Sequence, residues 1–281
     1  MINKSILTPQ ICLLTAGAFL LPAFASADEL VLRQGLSGYT GTLDTFTNEG
    51  APTSAYGSES NLAVRSGINN TRTSLISFDL ATLETLAETP GFNLESASLS
   101  FYVETMLNTR TAAASIYRMD RAWTAGTSAF GSGATWRRWD AGSSSDPSDD
   151  AGEWVSRLNG ANGGLGSDDR QTTATDSFSI AGVTFEPGAR TYNDWVEFDV
   201  LSDVGAFLGG TTNYGWLLAD TSPNDQQTVF TSSDSASDIT QRPTLTFAYT
   251  IVPEASSMGL IFGSVAGLFV FINLRRRQEK V

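Results

Sequence analysis

Apolar and polar residues alternate with a period of two along much of the chain between residues 28 and 251. In the stretch 96–103, serines and Tyr102 occupy one face, and the other face is apolar. The apolar face consists of Ala97, Leu99, Phe101 and Val103. The stretch 244–249 repeats the pattern with Leu245, Phe247 and Tyr249. Because successive side chains of a strand point to opposite faces, this alternation predicts strands that each bury one face.

The same pattern predicts further strands, and clusters of Gly, Asn, Asp and Ser separate them as turns require. These strands are residues 74–78, 196–200, 214–219 and 228–232. One short helix is predicted, with Ser202 as its cap, Asp203 near its positive end and Gly209–Gly210 after its last turn. Many strands and almost no helix predict an all-β fold, a single jelly-roll-like β-sandwich over residues 28–251.

One region interrupts the alternation between residues 140 and 175, where Gly, Ser and Asp dominate. Such segments bury too little apolar surface to offset their chain entropy, so they are expected to form long surface loops. The strands predicted on both sides show the same alternation of apolar and polar residues, so we do not place a domain boundary here.

The first 27 residues have the pattern of a secretory signal peptide. Lys4 supplies a positive charge, residues 11–24 are mostly apolar, and small residues precede a predicted cleavage after Ala27. The single cysteine, Cys12, lies in this segment. The exported protein is therefore expected to contain no disulfide and to depend on its core for stability.

The other end of the chain predicts a transmembrane helix. Residues 258–274 contain no charged residue, and a helix of this length spans about 25 Å, the short end of a membrane crossing. Arg275, Arg276 and Arg277 follow directly. The positive-inside rule places these arginines in the cytoplasm and the body outside it.

Charge and residue types exclude several function classes. Of 30 acidic and 17 basic residues, two acidic and five basic ones lie outside residues 28–251, which leaves 28 against 12 and a net charge of −16. Such a body is not expected to bind nucleic acid. The chain contains no histidine, so Ser-His-Asp and Cys-His catalysis and histidine metal sites are excluded, whereas carboxylate-based glycoside hydrolysis remains chemically possible.

The last thirty residues resemble the tail of the PEP-CTERM family, in which a Pro-Glu-Pro motif precedes an apolar helix and a basic terminus. The motif here is Val252, Pro253, Glu254 and Ala255, so alanine stands in the place of the second proline. The resemblance implies processing by an exosortase, a membrane transpeptidase-like enzyme. It also implies an initial inner-membrane anchor and final delivery to the cell surface or the extracellular matrix.

The body resembles the DNRLRE family of jelly-roll domains, which are grouped with carbohydrate-binding modules. The matching motifs are Asp44-Thr45-Phe46, Asn61–Val64, Ser77–Leu80, Ser96–Leu99, Ile116-Tyr117-Arg118, Val196–Val200, Asn213–Trp216, Phe230-Thr231-Ser232 and Arg242–Leu245. The long loop after Trp139 departs from the family pattern. The resemblance implies a β-sandwich that binds carbohydrate and performs no catalysis.

Aromatic residues are the first candidates for binding a sugar ring. Four of them lie on or beside strand motifs and are predicted to fill the core: Trp123, Trp136, Trp195 and Trp216. Five other residues lie in or beside polar loops and form the candidate carbohydrate-binding set: Trp139, Trp154, Tyr192, Arg137 and Arg138. The arginines could pair with carboxylates of an acidic polysaccharide. Alternatively, the tryptophans are covered by the loop.

Carboxylates of the polar region could provide oxygen ligands for structural calcium, although no EF-hand spacing is present and no metal site is predicted. They are Asp146, Asp149, Asp150, Glu153, Asp168 and Asp169. Asp79 and Asp199, at strand ends, could pair as acid and base only if the fold brought them together.

We therefore expect an exported, non-catalytic surface protein whose β-sandwich binds extracellular or envelope polysaccharide and that needs no cofactor. One alternative is a structural matrix or envelope protein that contacts only other proteins. Another is a polysaccharide-degrading enzyme that depends on carboxylates.

Overall fold

The computed structural model describes residues 27–67, 69–107, 112–126, 133–140, 152–158, 165–180, 191–222, 227–236 and 238–252. The predicted signal peptide up to residue 26 and the predicted sorting tail from residue 253 lie outside these ranges. Within them, no helix has the length and apolar character that a membrane crossing requires.

The described residues form eleven strands, and every pairing between them is antiparallel. The strands are β1 (Asp28–Arg33), β2 (Thr42–Asn48), β3 (Asn61–Arg65), β4 (Arg72–Phe78), β5 (Phe92–Leu107), β6 (Ala112–Arg118), β7 (Asp176–Ile180), β8 (Thr191–Asp199), β9 (Trp216–Asp220), β10 (Gln227–Thr231) and β11 (Thr244–Ile251). The expectation of an all-β fold is confirmed.

Three short α-helices accompany the strands in the described ranges: α1 (Ala81–Ala87), α2 (Val155–Leu158) and α3 (Leu201–Leu208). The predicted helix corresponds to α3, but Ser202 is not its cap, because the helix already begins at Leu201. The carboxylate of Asp199 instead accepts the N–H of Leu201 at 2.9 Å. Asp79 does the same for Ala81 at the start of α1, a helix that the sequence pattern did not predict.

The strands form one connected sheet in the order β1-β11-β5-β10-β3-β4-β9-β6-β7, with β2 added on β4 and β8 added on β5. The long strand β5 joins two halves of the sheet. Ser98–Ser100 pair with both β11 and β8, and Val103–Thr105 pair with both β10 and β8. Strands β11 and β10 therefore follow one another along one edge of β5, while β8 occupies the other edge.

The sheet curls around a core to which nearly all strands contribute. On β5 this core contains Leu99, Phe101 and Val103, as the alternation predicted. Phe178 of β7, at one end of the strand order, packs against Phe198 of β8, with ring centroids 5.5 Å apart. Because strands from distant places in the order share one core, the architecture is consistent with a β-sandwich.

Two buried carboxylates connect elements that are far apart in sequence. Asp44 of β2 accepts hydrogen bonds from the Ser232 hydroxyl at 2.9 Å and from the Ser233 N–H at 2.6 Å. Burial raises the pKa of Asp44 to about 6, although both hydrogen bonds act in the opposite direction. Asp203 of α3 accepts from Trp216 and Thr175 and lies 3.5 Å from Arg118.

Candidate functional site

The irregular region after β6 packs on the outer face of strands β4, β9 and β6. We call its described residues 119–126, 133–140, 152–158 and 165–170 the loop layer. A second, smaller core lies between this layer and the sheet, formed by Leu75 and Leu217 from the strands and by Met119, Ala134 and Trp154 from the layer. Leu75 and Leu217 alternate with residues of the main core, so the sheet is covered on both faces here.

Asp169 holds the loop layer together. Its buried carboxylate accepts the N–H groups of Val155 at 2.7 Å, Ser156 at 3.1 Å and Gly166 at 3.2 Å. The first two belong to the start of α2, whose N–H groups have no partner within the helix. The prediction of surface loops is therefore wrong for this part, because Asp169 and Trp154 are both fully buried.

Trp154 does not present a ring to solvent. It is 0% exposed, and its indole N–H donates to the carbonyl of Thr135 at 3.0 Å. Its place in the candidate carbohydrate-binding set is therefore corrected, since a sugar cannot stack on a ring that the loop layer encloses. The alternative, a tryptophan covered by its own loop, describes Trp154.

Trp139 lies closer to the surface of the loop layer. Its ring is half-buried, and the guanidinium carbon of Arg121 lies 5.4 Å from the ring centroid. Its indole N–H is buried and has no acceptor among the described residues. Trp139 thus retains part of an aromatic surface and a donor without a described partner.

The two candidate arginines differ in exposure. Arg138 is buried, and its backbone forms an isolated antiparallel bridge with Glu153. Arg137 is half-buried, and its N–H donates to the carbonyl of Pro52 at 3.3 Å. Only Arg137 of this pair therefore offers a cation at the surface.

Tyr192 is not part of the loop layer. It lies on β8 and packs against the main core. The structure thus brings together Arg137, Arg138, Trp139 and Trp154 from the candidate set and places Tyr192 elsewhere.

The four tryptophans predicted to fill the core have different environments. Trp216 is fully buried, as predicted. Trp123 is half-buried and donates to the carbonyl of Tyr214 at 2.8 Å, and Trp136 is also half-buried. Trp195 is 40% exposed, so the prediction of a core position is wrong for this residue.

The alternation along β8 contains the signal that places Trp195 outside. Val196 and Phe198 flank Glu197 and face the core, so Trp195 and Glu197 share the opposite face. Trp195 lies directly across from Tyr102 of β5, and the two rings meet edge to face with centroids 5.5 Å apart.

The carboxylates that could provide ligands for structural calcium do not form a described site. Asp146, Asp149 and Asp150 lie outside the described residues, Glu153 is buried, and the Asp169 carboxylate is occupied by backbone donors. In the part of the chain that the structure describes, no three acidic, His or Cys residues are grouped as metal ligands. Asp79 and Asp199 each accept a helix N–H, which gives both carboxylates a structural role.

Comparison with known proteins connects this body to carbohydrate recognition. The model of carbohydrate-binding module family 96 matches residues 36–144, which is less than half of the chain. No curated protein matches the chain. The matched range contains β2 to β6 and the first part of the loop layer with Arg137 and Trp139, whereas Trp195 lies outside it. Over residues 36–144 the chain is similar to this family of carbohydrate-binding modules.

Proposed function

We propose that this chain is an exported, non-catalytic protein whose β body binds polysaccharide. The observation that carries the proposal is the similarity of residues 36–144 to a carbohydrate-binding module family. The lack of histidine in the sequence excludes a Ser-His-Asp triad, so glycoside hydrolysis by two carboxylates is the catalytic alternative to a binding role. In this proposal the chain binds a polymer outside the cytoplasm and leaves it intact.

The proposed contact surface in the matched range is the edge of the loop layer formed by Arg137 and Trp139. A half-exposed indole provides an apolar face for the C–H face of a sugar ring, and a guanidinium pairs with a sugar carboxylate or hydroxyl. Arg121 over the Trp139 ring and the buried core beneath hold this edge in place. Because the body carries a net charge of −16, we expect an acidic polysaccharide to bind only where such arginines approach it.

Binding of the purified full-length chain, kept in mild detergent, to an array of neutral, acidic and amino-bearing polysaccharides tests the proposal. The array is repeated with and without calcium, since calcium-dependent binding would identify a structural ion. Trp139→Ala and Arg137→Ser should each weaken binding of the polysaccharide that the loop layer recognises. Leu43→Ala, a change at an exposed apolar residue of β2 in the matched range, is the control that should bind like wild type.

Binding by none of the polysaccharides would refute the proposal and favour a structural protein that contacts only other proteins. Release of reducing sugar that disappears on substitution of a single carboxylate would refute the non-catalytic part. Circular dichroism of each variant confirms that a loss of binding does not reflect unfolding.

The route to the exterior is a further part of the proposal. We propose cleavage after Ala27, membrane insertion of residues 258–274 and exosortase processing at Val252–Ala255, followed by release to the cell surface or matrix. This part is supported by the sequence pattern of the two ends and by the resemblance of the tail to the PEP-CTERM family.

Mass spectrometry of the termini of the native protein tests this route. We expect Asp28 as the first residue and a new carboxyl terminus near Pro253. Replacing Arg275, Arg276 and Arg277 by serine should reduce the processed fraction, because the positive-inside orientation is lost. Equal processing of wild type and variant would contradict the proposed tail, and an intact Met1 would contradict the signal peptide.

A further inference from the structure

The indole of Trp195 lies outside the core. It is 40% exposed on the outer face of β8, while its neighbour Val196 points into the main core. Among the large apolar side chains that are exposed in the described residues, Trp195 is the aromatic one. Exposed large apolar side chains are more informative about function than buried ones, because folding alone does not require them.

The backbone directly before Trp195 is irregular. Tyr192 and Asn193 lie opposite the single residue Glu104, because Val103 pairs with Asp194 and Thr105 pairs with Thr191. Asn193 sits in this β-bulge with φ 54, in the left-handed region. Asparagine is among the few residues other than glycine that adopt this region readily, and bulges often direct a side chain at a functional surface.

One contact holds the backbone at Trp195, and a second one orients its indole. The carboxylate of Asp194 accepts the backbone N–H of Trp195 at 2.8 Å. The ring itself lies edge to face on Tyr102, with an interplanar angle of 70°. The contact with Tyr102 favours this ring orientation before any ligand arrives, which lowers the entropy cost of binding.

Polar groups suited to sugar hydroxyls continue from the aromatic pair along the same face. Ser98 and Ser100 precede Tyr102 on β5 and share its face of the strand. Ser100 lies directly across from the exposed Glu197 of β8. From Ser98 to Tyr102 this row extends about 14 Å along the strand, which is room for more than one sugar ring. We call Ser98, Ser100, Tyr102, Trp195 and Glu197 the Trp195 face.

Protection of a sheet edge explains the acidic residues of β8 but not the tryptophan. Strand β8 pairs only with β5 among the described strands, so it forms an edge, and charged residues on edges prevent pairing with other chains. Asp194 and Glu197 fit that role. An exposed indole has the opposite effect, because apolar surface on an edge strand promotes association.

We infer that the Trp195 face is a second binding surface, separate from the loop layer, and that its ligand is a neutral polysaccharide. The indole supplies an apolar face for the C–H side of a sugar ring, and Glu197 and the serines accept and donate hydrogen bonds to hydroxyls. The nearby carboxylates of Asp194, Glu197 and Asp199 repel a polyanion, which excludes acidic polysaccharides from this face. The inference deepens the proposed polysaccharide binding and rests on it.

Affinity gel electrophoresis of the full-length chain tests the inference, with glucomannan, xyloglucan or dextran as the neutral polymer in the gel. Polygalacturonate serves as the acidic polymer and chitosan as the amino-bearing one. We expect at least one neutral polymer to retard the wild-type chain. Trp195→Ala should raise the apparent Kd for that polymer by about tenfold or more. Trp195→Phe should bind more tightly than Trp195→Ala, because it keeps an aromatic ring.

Two control variants show whether a loss of retardation is specific to the Trp195 face. Leu43→Ala removes an exposed apolar side chain elsewhere and should leave the retardation unchanged. Ile239→Ala removes another exposed apolar side chain, outside strands β5 and β8, and should leave the neutral-polymer affinity within about twofold of wild type. Glu197→Gln should weaken the neutral-polymer affinity by a few fold without creating affinity for polygalacturonate.

Three results would overturn the inference. One is wild-type retardation by a neutral polymer that Trp195→Ala does not change. Another is retardation by chitosan alone that salt abolishes, which indicates only general attraction to an acidic surface. The third is loss of neutral-polymer binding in Trp139→Ala but not in Trp195→Ala, a result that leaves the proposed function intact and assigns all binding to the loop layer. Absence of binding to every polymer would overturn the proposed function together with this inference.

Discussion

The indole N–H of Trp216 donates a hydrogen bond to the carboxylate of Asp203, 2.9 Å away, and both side chains are buried. The same carboxylate accepts the Thr175 hydroxyl at 2.6 Å and lies 3.5 Å from the guanidinium of Arg118. One carboxylate thus connects α3 to β9, to the segment before β7 and to the end of β6.

Replacement of Asp203 by alanine should reduce the free energy of unfolding by about 2–4 kcal/mol, because the buried indole N–H of Trp216 and the partly buried hydroxyl of Thr175 lose their acceptor. Chemical denaturation followed by fluorescence measures this change. Glu84→Ala is the matched control, since Glu84 also lies in the first turn of a helix but is exposed. If both variants lost the same stability, Asp203 would contribute no more than a surface carboxylate.

Asp44 should make the stability of the protein depend on pH. Its pKa of about 6 in the folded state exceeds the ordinary value of 3.8, so the folded state binds this proton more tightly than the unfolded state. The free energy of unfolding should therefore fall as pH rises from 4 to 7, by about 2 kcal/mol from this group.

The variant Asp44→Asn cannot ionise, so it should become more stable relative to wild type across that pH range. Ser232→Ala removes a donor that favours the carboxylate, so the fall in stability should move to a higher pH. Denaturation curves at several pH values measure both effects. A difference between wild type and Asp44→Asn that stays constant from pH 4 to 7 would contradict the raised pKa.

Asp169 should control the local stability of the loop layer. Asp169→Ala leaves three backbone N–H groups without their acceptor, so we expect proteolytic cleavage within residues 119–170 to accelerate. The cleavage rate should rise about tenfold for each 1.4 kcal/mol of local stability lost, while the strands of the main core stay protected. Ser167→Ala changes an exposed neighbouring residue and is the control. Equal cleavage rates in both variants would show that the loop layer does not depend on Asp169.

Gly215 should not tolerate a side chain. Its φ is 74, and an added Cβ would lie 2.1 Å from the carbonyl oxygen of Ile76. Gly215→Ala should therefore lower the free energy of unfolding by more than about 1 kcal/mol, whereas Gly205→Ala, at an open position inside α3, should raise it by about 0.5–1 kcal/mol. Thermal denaturation of both variants measures the contrast. A Gly215→Ala protein as stable as wild type would contradict the close backbone approach.

The alternation predicted those strands whose one face is buried and whose other face is polar. In β5 the inward residues Leu99 and Phe101 alternate with serines, so the pattern specifies both the strand and its orientation. Helix α1 was not predicted because its seven residues are too few for a clear helical period. Its start depends on the Asp79 carboxylate, a contact that only the fold reveals.

The candidate site was predicted less well than the fold. Composition indicated solvated loops between residues 140 and 175, but an average over composition does not show that single residues such as Trp154 and Asp169 are buried. Trp195 was assigned to the core because tryptophan is usually buried, although the alternation with Val196 and Phe198 placed it outside. Tertiary packing decides the burial of Trp154 and Asp169, whereas for Trp195 the local alternation is informative and the residue type is misleading.

Isothermal titration calorimetry of the full-length chain, with a soluble oligosaccharide of the polymer that binds best on the array, tests the central claim most directly. The account predicts a saturable heat of binding at neutral pH, with a defined stoichiometry and no change in the length of the oligosaccharide afterwards. No saturable heat with any neutral, acidic or amino-bearing oligosaccharide, under conditions in which the chain is folded, would contradict it.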